Sequence, residues 1–233
     1  MMSVHAPQPD DATTTGSCCR RCGTCCHKGG PALHLQDRSL LMSGKIPVKR
    51  LFTIRQGEPA YDNVRGVIIP AQTDILKIKG IAGDTGMCRF FDPVRCACRI
   101  YAFRPAQCRV LTCWNTAAIR GMYDRDRLTR GHLLDRPAGL RDLVDEHQAK
   151  CDYRQVAYLA QRIRKGPDRL AAVDSLMAVI RYDHSLRQVT VERTRLDAEL
   201  LDFLFGRPIS TMMQMFHLRL AKVDGVVTIN EAV

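Results

Sequence analysis

The stretch "CCRRCGTCC", from Cys18 to Cys26, constrains this chain more than any other. Five of its nine positions are cysteine, in a sequence that holds 11 in all. A buried thiol behaves as a small apolar residue, but apolar packing gives no reason for such clustering. Crosslinking, catalysis or metal binding remain. A chain of 233 residues with 45% hydrophobic content can bury a core without covalent staples. The opening "MMSVHAPQPDDATTTGS" has neither the basic nor the apolar region of a secretory signal. No run reaches the roughly 18 apolar residues of a membrane span. These features point to a cytoplasmic protein, where thiols stay mostly reduced. The odd cysteine count also leaves at least one thiol unpaired within the chain. The expectation is metal.

Spacing sharpens it. Cys19, Cys22 and Cys25 form two overlapping C-x2-C turns, followed at once by Cys26. A C-x2-C turn brings two sulfurs to one ion at about 2.3 Å, the zinc–thiolate distance. Adjacent Cys25 and Cys26 cannot both continue the same turn, so this is more than one knuckle of a zinc finger. A second group, Cys88, Cys96, Cys98, Cys108 and Cys113, has no C-x2-C half, and its spacing is a weaker signal. Individually, Cys18, Cys96 and Cys151 read as bystanders. His27, beside Cys26, is a substitute ligand in a minority reading.

The formal charge of +11 raises nucleic acid as a partner. A different account is preferred. Arg89, Arg95, Arg99, Arg104 and Arg109 lie between Cys88 and Cys113, with Asp92 as the only acid, and Arg20, Arg21 and Lys28 flank the first run. Metal-bound cysteines are thiolates, and these cations would balance them. Aromatic residues are only 6% of the chain, which supplies a base-stacking platform poorly. Nucleic acid is therefore disfavoured.

The organisation expected is α+β: a small cysteine-rich metal-binding domain with short strands, then an α-helical C-terminal region. Residues 1–17 read as a disordered tail, 18–120 as the metal-binding domain and 121–233 as the mainly helical region. "HLQDRSLLMSGKIP" predicts a short helix after Asp37 that ends near Gly44. "LFTIR", "VRGVIIP" and "DILKIK" are strand-like, and the last leads through "GIAGDTG" into "MCRFF" as a hairpin feeding Cys88. The glycines at 80, 83 and 86 do not open a helix, so they mark a loop and not a nucleotide site. Apolar residues at helical spacing mark "PAGLRDLVDEHQAK", "YRQVAYLAQRIRK", "PDRLAAVDSLMAVIRY" and "RLDAELLDFLFG". Pro137 and Pro167 stand where helices begin, and Gly206 ends the last. "FHLRLAKVDGVVTI" reads as a hairpin about Asp224-Gly225, and "MMQMF" as packing.

"CRRCGTCC", with "CRFFD" from Cys88 and "CRIYAFRPAQCR" from Cys98 to Arg109, resembles the YkgJ-like CxxCxxCC cysteine-cluster family, associated with zinc or iron chelation. The likeness spans roughly residues 19–113. By position it implies Cys19, Cys22, Cys25, Cys26, Cys88, Cys98, Cys108 and Cys113 as metal ligands. Eight thiolates exceed one mononuclear site. They suit two four-cysteine zinc sites, a thiolate-bridged pair or an iron-sulfur cluster. The function this implies is metal binding, with zinc or iron as cofactor and a protein partner or substrate left open. The family also includes flagellin lysine N-methylase-like proteins. That alternative would add S-adenosylmethionine and make the chain a protein-lysine N-methyltransferase. An iron-sulfur redox or electron-transfer protein is the third reading. No catalytic residue is singled out, and Arg104 and Pro105 read equally well as a packed turn.

Overall fold

A computed structural model describes residues 21–81, 86–134, 138–223 and 226–232. The tail at 1–17, Cys18, Cys19, Pro137, most of the "GIAGDTG" loop and the Asp224-Gly225 turn lie outside the described residues. The fold is α+β. Short elements come first: helices α1 (Thr24–His27) and α2 (Arg38–Met42), strands β1 (Leu51–Ile54), β2 (Pro59–Asp62), β3 (Val67–Pro70), β4 (Ile75–Ile78), β5 (Phe91–Asp92) and β6 (Ala97–Cys98), then helices α3 (Ala106–Val110) and α4 (Ala117–Met122). Longer helices follow: α5 (Ala138–Lys150), α6 (Tyr153–Lys165) and α7 (Arg169–Thr194). A short α8 (Leu201–Phe205), a 3-10 helix (Ile209–Phe216) and strands β7 (Leu218–Val223) and β8 (Val226–Glu231) complete the described chain.

The strands pair as antiparallel ribbons: β1 with β4, β2 with β3, β5 with β6 and β7 with β8. In the first ribbon Leu51 faces Ile78 and Thr53 faces Leu76. All four are essentially excluded from water, because alternation sends every second side chain to one face. The other face carries Phe52, Ile54, Ile75 and Lys77. The β2–β3 hairpin interrupts this ribbon between its two strands. Pro59 opens β2, and no β2 residue is fully buried. That weak alternation is why only β3 of the pair is strand-like in the sequence. The hairpin expected to feed Cys88 is present as an antiparallel bridge between Gly80 and Cys88, with the Ile81 amide donating to Met87 O (2.8 Å) and the Arg89 amide to Lys79 O (3.0 Å), and β5–β6 follows it.

Two apolar clusters hold the molecule. The first joins Leu33, Leu51, Leu76, Ile78, Phe91, Ile100 and Leu128 to Val144 of α5 and to Phe203, Leu204 and Phe205 of α8. The second packs Val156, Leu159 and Ile163 of α6 against Leu176, Met177 and Ile180 of α7, with Ile209, Met212 and Met213 beneath. The "MMQMF" segment is thus packing, as its composition suggests.

Polar groups fill the seam between the clusters. Asp183 accepts hydrogen bonds from His147 Nε2 (2.7 Å), Arg187 Nε (2.9 Å) and the Ile209 amide (3.0 Å). The last carbonyls of α8 have no partner within the helix. Side chains from three distant segments satisfy them. Thr53 donates to Phe203 O, Arg130 to Leu204 O, and Arg187 to Phe205 O and Gly206 O.

Gly206 ends α8 at φ 70°, ψ −165°, a combination open essentially to glycine alone. A Cβ there would sit 2.9 Å from both Arg55 Cγ and Thr53 O. Gly206→Ala is expected to cost about 2–3 kcal/mol. Chemical denaturation should show a lowered midpoint with unchanged slope. A midpoint equal to the parent's would mean the turn relaxes freely.

Candidate metal centre

The first cysteine run folds tightly at Gly23, whose φ is 75°. A Cβ at this position would lie 2.5 Å from Phe91 Cζ. Glycine therefore lets the Cys22–Cys25 turn rest on the Phe91 ring of β5. The His27 amide donates to Gly23 O (3.0 Å) and closes α1. The Cys88 amide donates to Cys26 O at 2.7 Å. That bond stitches the two cysteine groups together across more than 60 residues of chain. Cys98 is paired with Phe91 across β5–β6, and both Cys26 and Cys98 pack against the first apolar cluster.

Cys108 is brought in by a different device. Asp37 is fully buried and holds two segments at once. Its Oδ2 accepts from the His34 amide (3.0 Å), and its Oδ1 accepts from the Ala106 amide (2.8 Å) at the start of α3. Next door, Gln107 Oε1 accepts from the Ala32 amide (3.0 Å), and its Nε2 meets His34 Nε2 at 3.1 Å. His34 Nδ1 faces the Arg125 carbonyl at 2.8 Å. A carbonyl only accepts, so Nδ1 carries the proton and Nε2 accepts from Gln107. This buried network fixes α3, and with it Cys108, against the segment that follows the first cysteine run.

The thiols act on one another. Cys25 and Cys26 sulfurs are 4.0 Å apart, a contact in which either could donate. The hydrogen bond from Cys26 holds Cys25 down to about 6, while that same contact, with burial, pushes Cys26 up. Burial raises Cys88 and Cys108, and so do neighbouring thiolates: Cys98 and Cys25 for the former, Cys88, Cys25 and Cys98 for the latter. Cys25, Cys26, Cys88, Cys98 and Cys108 therefore form one electrostatic group. Cys22 is exposed and bonded to Thr24 Oγ1 (3.3 Å), which lowers it. Cys113 is exposed on the turn after α3. Cys19 lies outside the described residues. Exposed Cys96 contacts Arg21 O at 3.9 Å. His27 is turned edge-on to Phe91, 4.9 Å between ring centres.

The arginines divide their work. Arg104 lowers Cys108, and its guanidinium lies 4.0 Å from the Tyr101 ring centre, where Arg21 also stacks at 4.2 Å. Arg89 and Arg99 are within ion-pair reach of Glu199 (3.6 Å) and Asp92 (3.7 Å). Arg109 donates to Arg104 O and Gln36 Oε1. The cationic surround expected from the sequence is thus carried by Arg104 at Cys108, while Arg89, Arg99 and Arg109 brace the scaffold.

Residues 18–127 match the family model named CxxCxxCC, whose description is "putative zinc- or iron-chelating domain". This segment, just under half of the chain, resembles that domain. No curated protein and no solved structure matches the chain. The matched span of the CxxCxxCC domain takes in both cysteine groups, the β1–β4 ribbon and α4, and it stops at the Arg127 that precedes buried Leu128. No described helix is long and apolar enough to cross a membrane.

A second set of donor atoms lies outside the CxxCxxCC domain. His147, Cys151 and Asp183 place theirs within 4.8 Å of one another, all buried. The i, i+4 spacing of His147 and Cys151 at the end of α5 is a signal the sequence carried. Both Asp183 oxygens are already engaged, and Arg187 sits against one of them, so the set forms a polar knot between the two clusters. Burial pushes the Cys151 thiol up to about 12, which suits a packed, neutral sulfur.

Proposed function

We propose that this protein holds zinc or iron through thiolates of Cys19, Cys22, Cys25, Cys26, Cys88, Cys98, Cys108 and Cys113, and that the metal closes the fold. The binding unit is residues 18–120, and the helices of 121–233 are its support. One observation carries the reading. Thiols from α1, β6, α3 and the segment before β5 come near enough that, besides burial, neighbouring thiolates oppose the ionisation of Cys26, Cys88 and Cys108. A cation among them reverses that opposition, because a coordinated thiol ionises outright. Soft sulfur donors select zinc and iron over magnesium or calcium. The methylase alternative gains no support from the comparisons.

The test is metal stoichiometry after anaerobic purification. Zinc with a featureless visible spectrum supports a structural centre. Iron with labile sulfide and a broad absorption near roughly 400 nm supports a cluster. Cys25→Ser and Cys88→Ser should each lower the metal-to-protein ratio by half or more, while Cys96→Ser should leave it unchanged. Parental ratios in both ligand variants would overturn the assignment.

A further inference from the structure

The outer face of the β1–β4 ribbon is not covered by the core. It floors a cleft of about 400 Å³ whose lining includes Ile54, Ile75 and Lys77 from the ribbon. Ala60 and Ile69 of the β2–β3 hairpin form one wall, and Arg120, Tyr123 and Arg127 form the other. A volume of a few hundred Å³ is ordinary for a small-molecule site. The hairpin tip is tied across it by the Asn63 amide, which donates to Tyr123 Oη at 3.1 Å.

The charges in this cleft are unbalanced. Lys77, Arg65, Arg120 and Arg127 line it, against Asp62 and Asp124. Asp62 and Arg65 offset each other within their own turn, where Asp62 Oδ1 accepts from the Val64 and Arg65 amides at 2.8 and 2.9 Å and its Oδ2 lies 3.8 Å from the Arg65 guanidinium, which leaves Lys77, Arg120 and Arg127 against Asp124. Among the described residues Lys77 Nζ has no hydrogen bond and no ion pair. Burial lowers its pKa, and Arg127 and Arg207, both cations, lower it further. A half-buried ammonium that faces another cation is costly to keep. A hydrophobic residue would serve the ribbon better if packing were its only role, since Phe52 stands directly opposite it.

We propose that the cleft binds a small organic carboxylate, with its charge between Lys77 and Arg127 and its apolar body on Ile54, Ala60 and Ile69. The apolar wall distinguishes this ligand from a bare inorganic oxyanion. The site is separate from the thiol group and does not depend on the metal's identity. Gln107 links the two places, since it lines the cleft and precedes Cys108.

The experiment titrates benzoate, benzyl alcohol and inorganic phosphate separately into the full-length, metal-loaded protein, by calorimetry with amide NMR shifts to locate binding. Benzoate should saturate at one equivalent, with shifts at residues 54, 60, 69 and 77. Benzyl alcohol and phosphate should each bind at least about tenfold more weakly, the loss expected when a charged pair or an apolar contact is missing. Lys77→Met and Arg127→Gln should each weaken benzoate at least about tenfold. Lys77→Met should also melt at a higher temperature than the parent, because an unpaired charge is gone, which separates lost binding from lost folding. Phosphate equal to benzoate, benzoate that fails to saturate, or parental affinity in both variants would each overturn the proposal. A lowered melting temperature for Lys77→Met would overturn it too, since the lysine would then be serving stability.

Discussion

Stripping the metal from the loaded protein is expected to raise amide exchange at least about a hundredfold across residues 21–34 and 86–113. Exchange across residues 153–190 should hardly change. The reason is the length of chain between Cys26 and Cys88. Closing a loop of about 60 residues costs roughly 4 kcal/mol in chain entropy. One backbone bond from the Cys88 amide to Cys26 O contributes about 1 kcal/mol, too little to hold that closure alone. On the proposed ligand set, metal ligation across both groups would supply the rest as folding energy. The strands between them, β1 to β4, should loosen with the ligand turns. Helix α8 should follow, because Phe203, Leu204 and Phe205 sit in the first apolar cluster. Helices α6 and α7 belong to the second and should keep their protection. The rival picture is a finished fold with a metal attached to its surface. It predicts change at the ligand turns alone, and unchanged protection everywhere outside those turns would establish it.

The other large effect is expected at the seam. Asp183→Ala should lower stability by about 3–5 kcal/mol, the usual consequence of leaving a buried charge without its partner. Arg187 would lose its carboxylate while 7% exposed, and His147 Nε2 and the Ile209 amide would lose their acceptor. For a chain of this size that is about 6–20 °C in melting temperature. A loss below about 1 kcal/mol would show that water replaces the carboxylate. The same seam sets an acid limit. Burial, with Arg55 and Arg187 close by, holds His147 at about 4 against an ordinary 6.5, although Asp183 pulls it upward. The unfolded chain therefore takes up this proton near pH 6.5 and the folded chain only near pH 4. Stability from this group is complete above pH 6.5 and falls as pH drops toward 4, by about 3 kcal/mol in all. Below pH 4 protonation of Asp183, whose pKa is also lowered, adds to the loss. His147→Gln should flatten the decline between pH 6.5 and 5. An unchanged slope would place the sensitivity elsewhere.

The parts of this structure that sequence revealed are those governed by neighbours in the chain. Val156, Leu159, Ala160 and Ile163 follow the helical period, and α6 runs as read. Asp37 starts α2, and Gly206 ends α8. Helix α7 is the instructive departure. The apolar pattern gives out at Tyr182, yet the helix continues to Thr194. Its buried stripe does not stop. It changes from apolar to polar, through Asp183, Arg187 and Thr190, because it passes into the seam. A rule that equates burial with hydrophobicity ends the helix 12 residues early. The cysteine groups were legible as motifs, but their meeting depends on Asp37 reaching α3 and on Gly23 clearing Phe91, and neither contact has a local signature. The cleft was invisible for the same reason, since Lys77 and Arg127 come to line one cleft only after the ribbon and the segment that follows α4 have docked.

The placement of α8 also sets an order of events during synthesis. A ribosome adds roughly 5–20 residues per second, and about 80 residues separate the end of the CxxCxxCC domain from Phe205. For roughly 4–16 s the nascent chain displays every cysteine of both groups but lacks the three side chains that complete the first apolar cluster. Thr53 and Arg130 wait in the same interval for the carbonyls they will bind. A thiol-rich segment is then open to oxidation and to capture of the wrong ion. Maturation of the proposed centre would be timed by the arrival of a helix that contributes no sulfur to it.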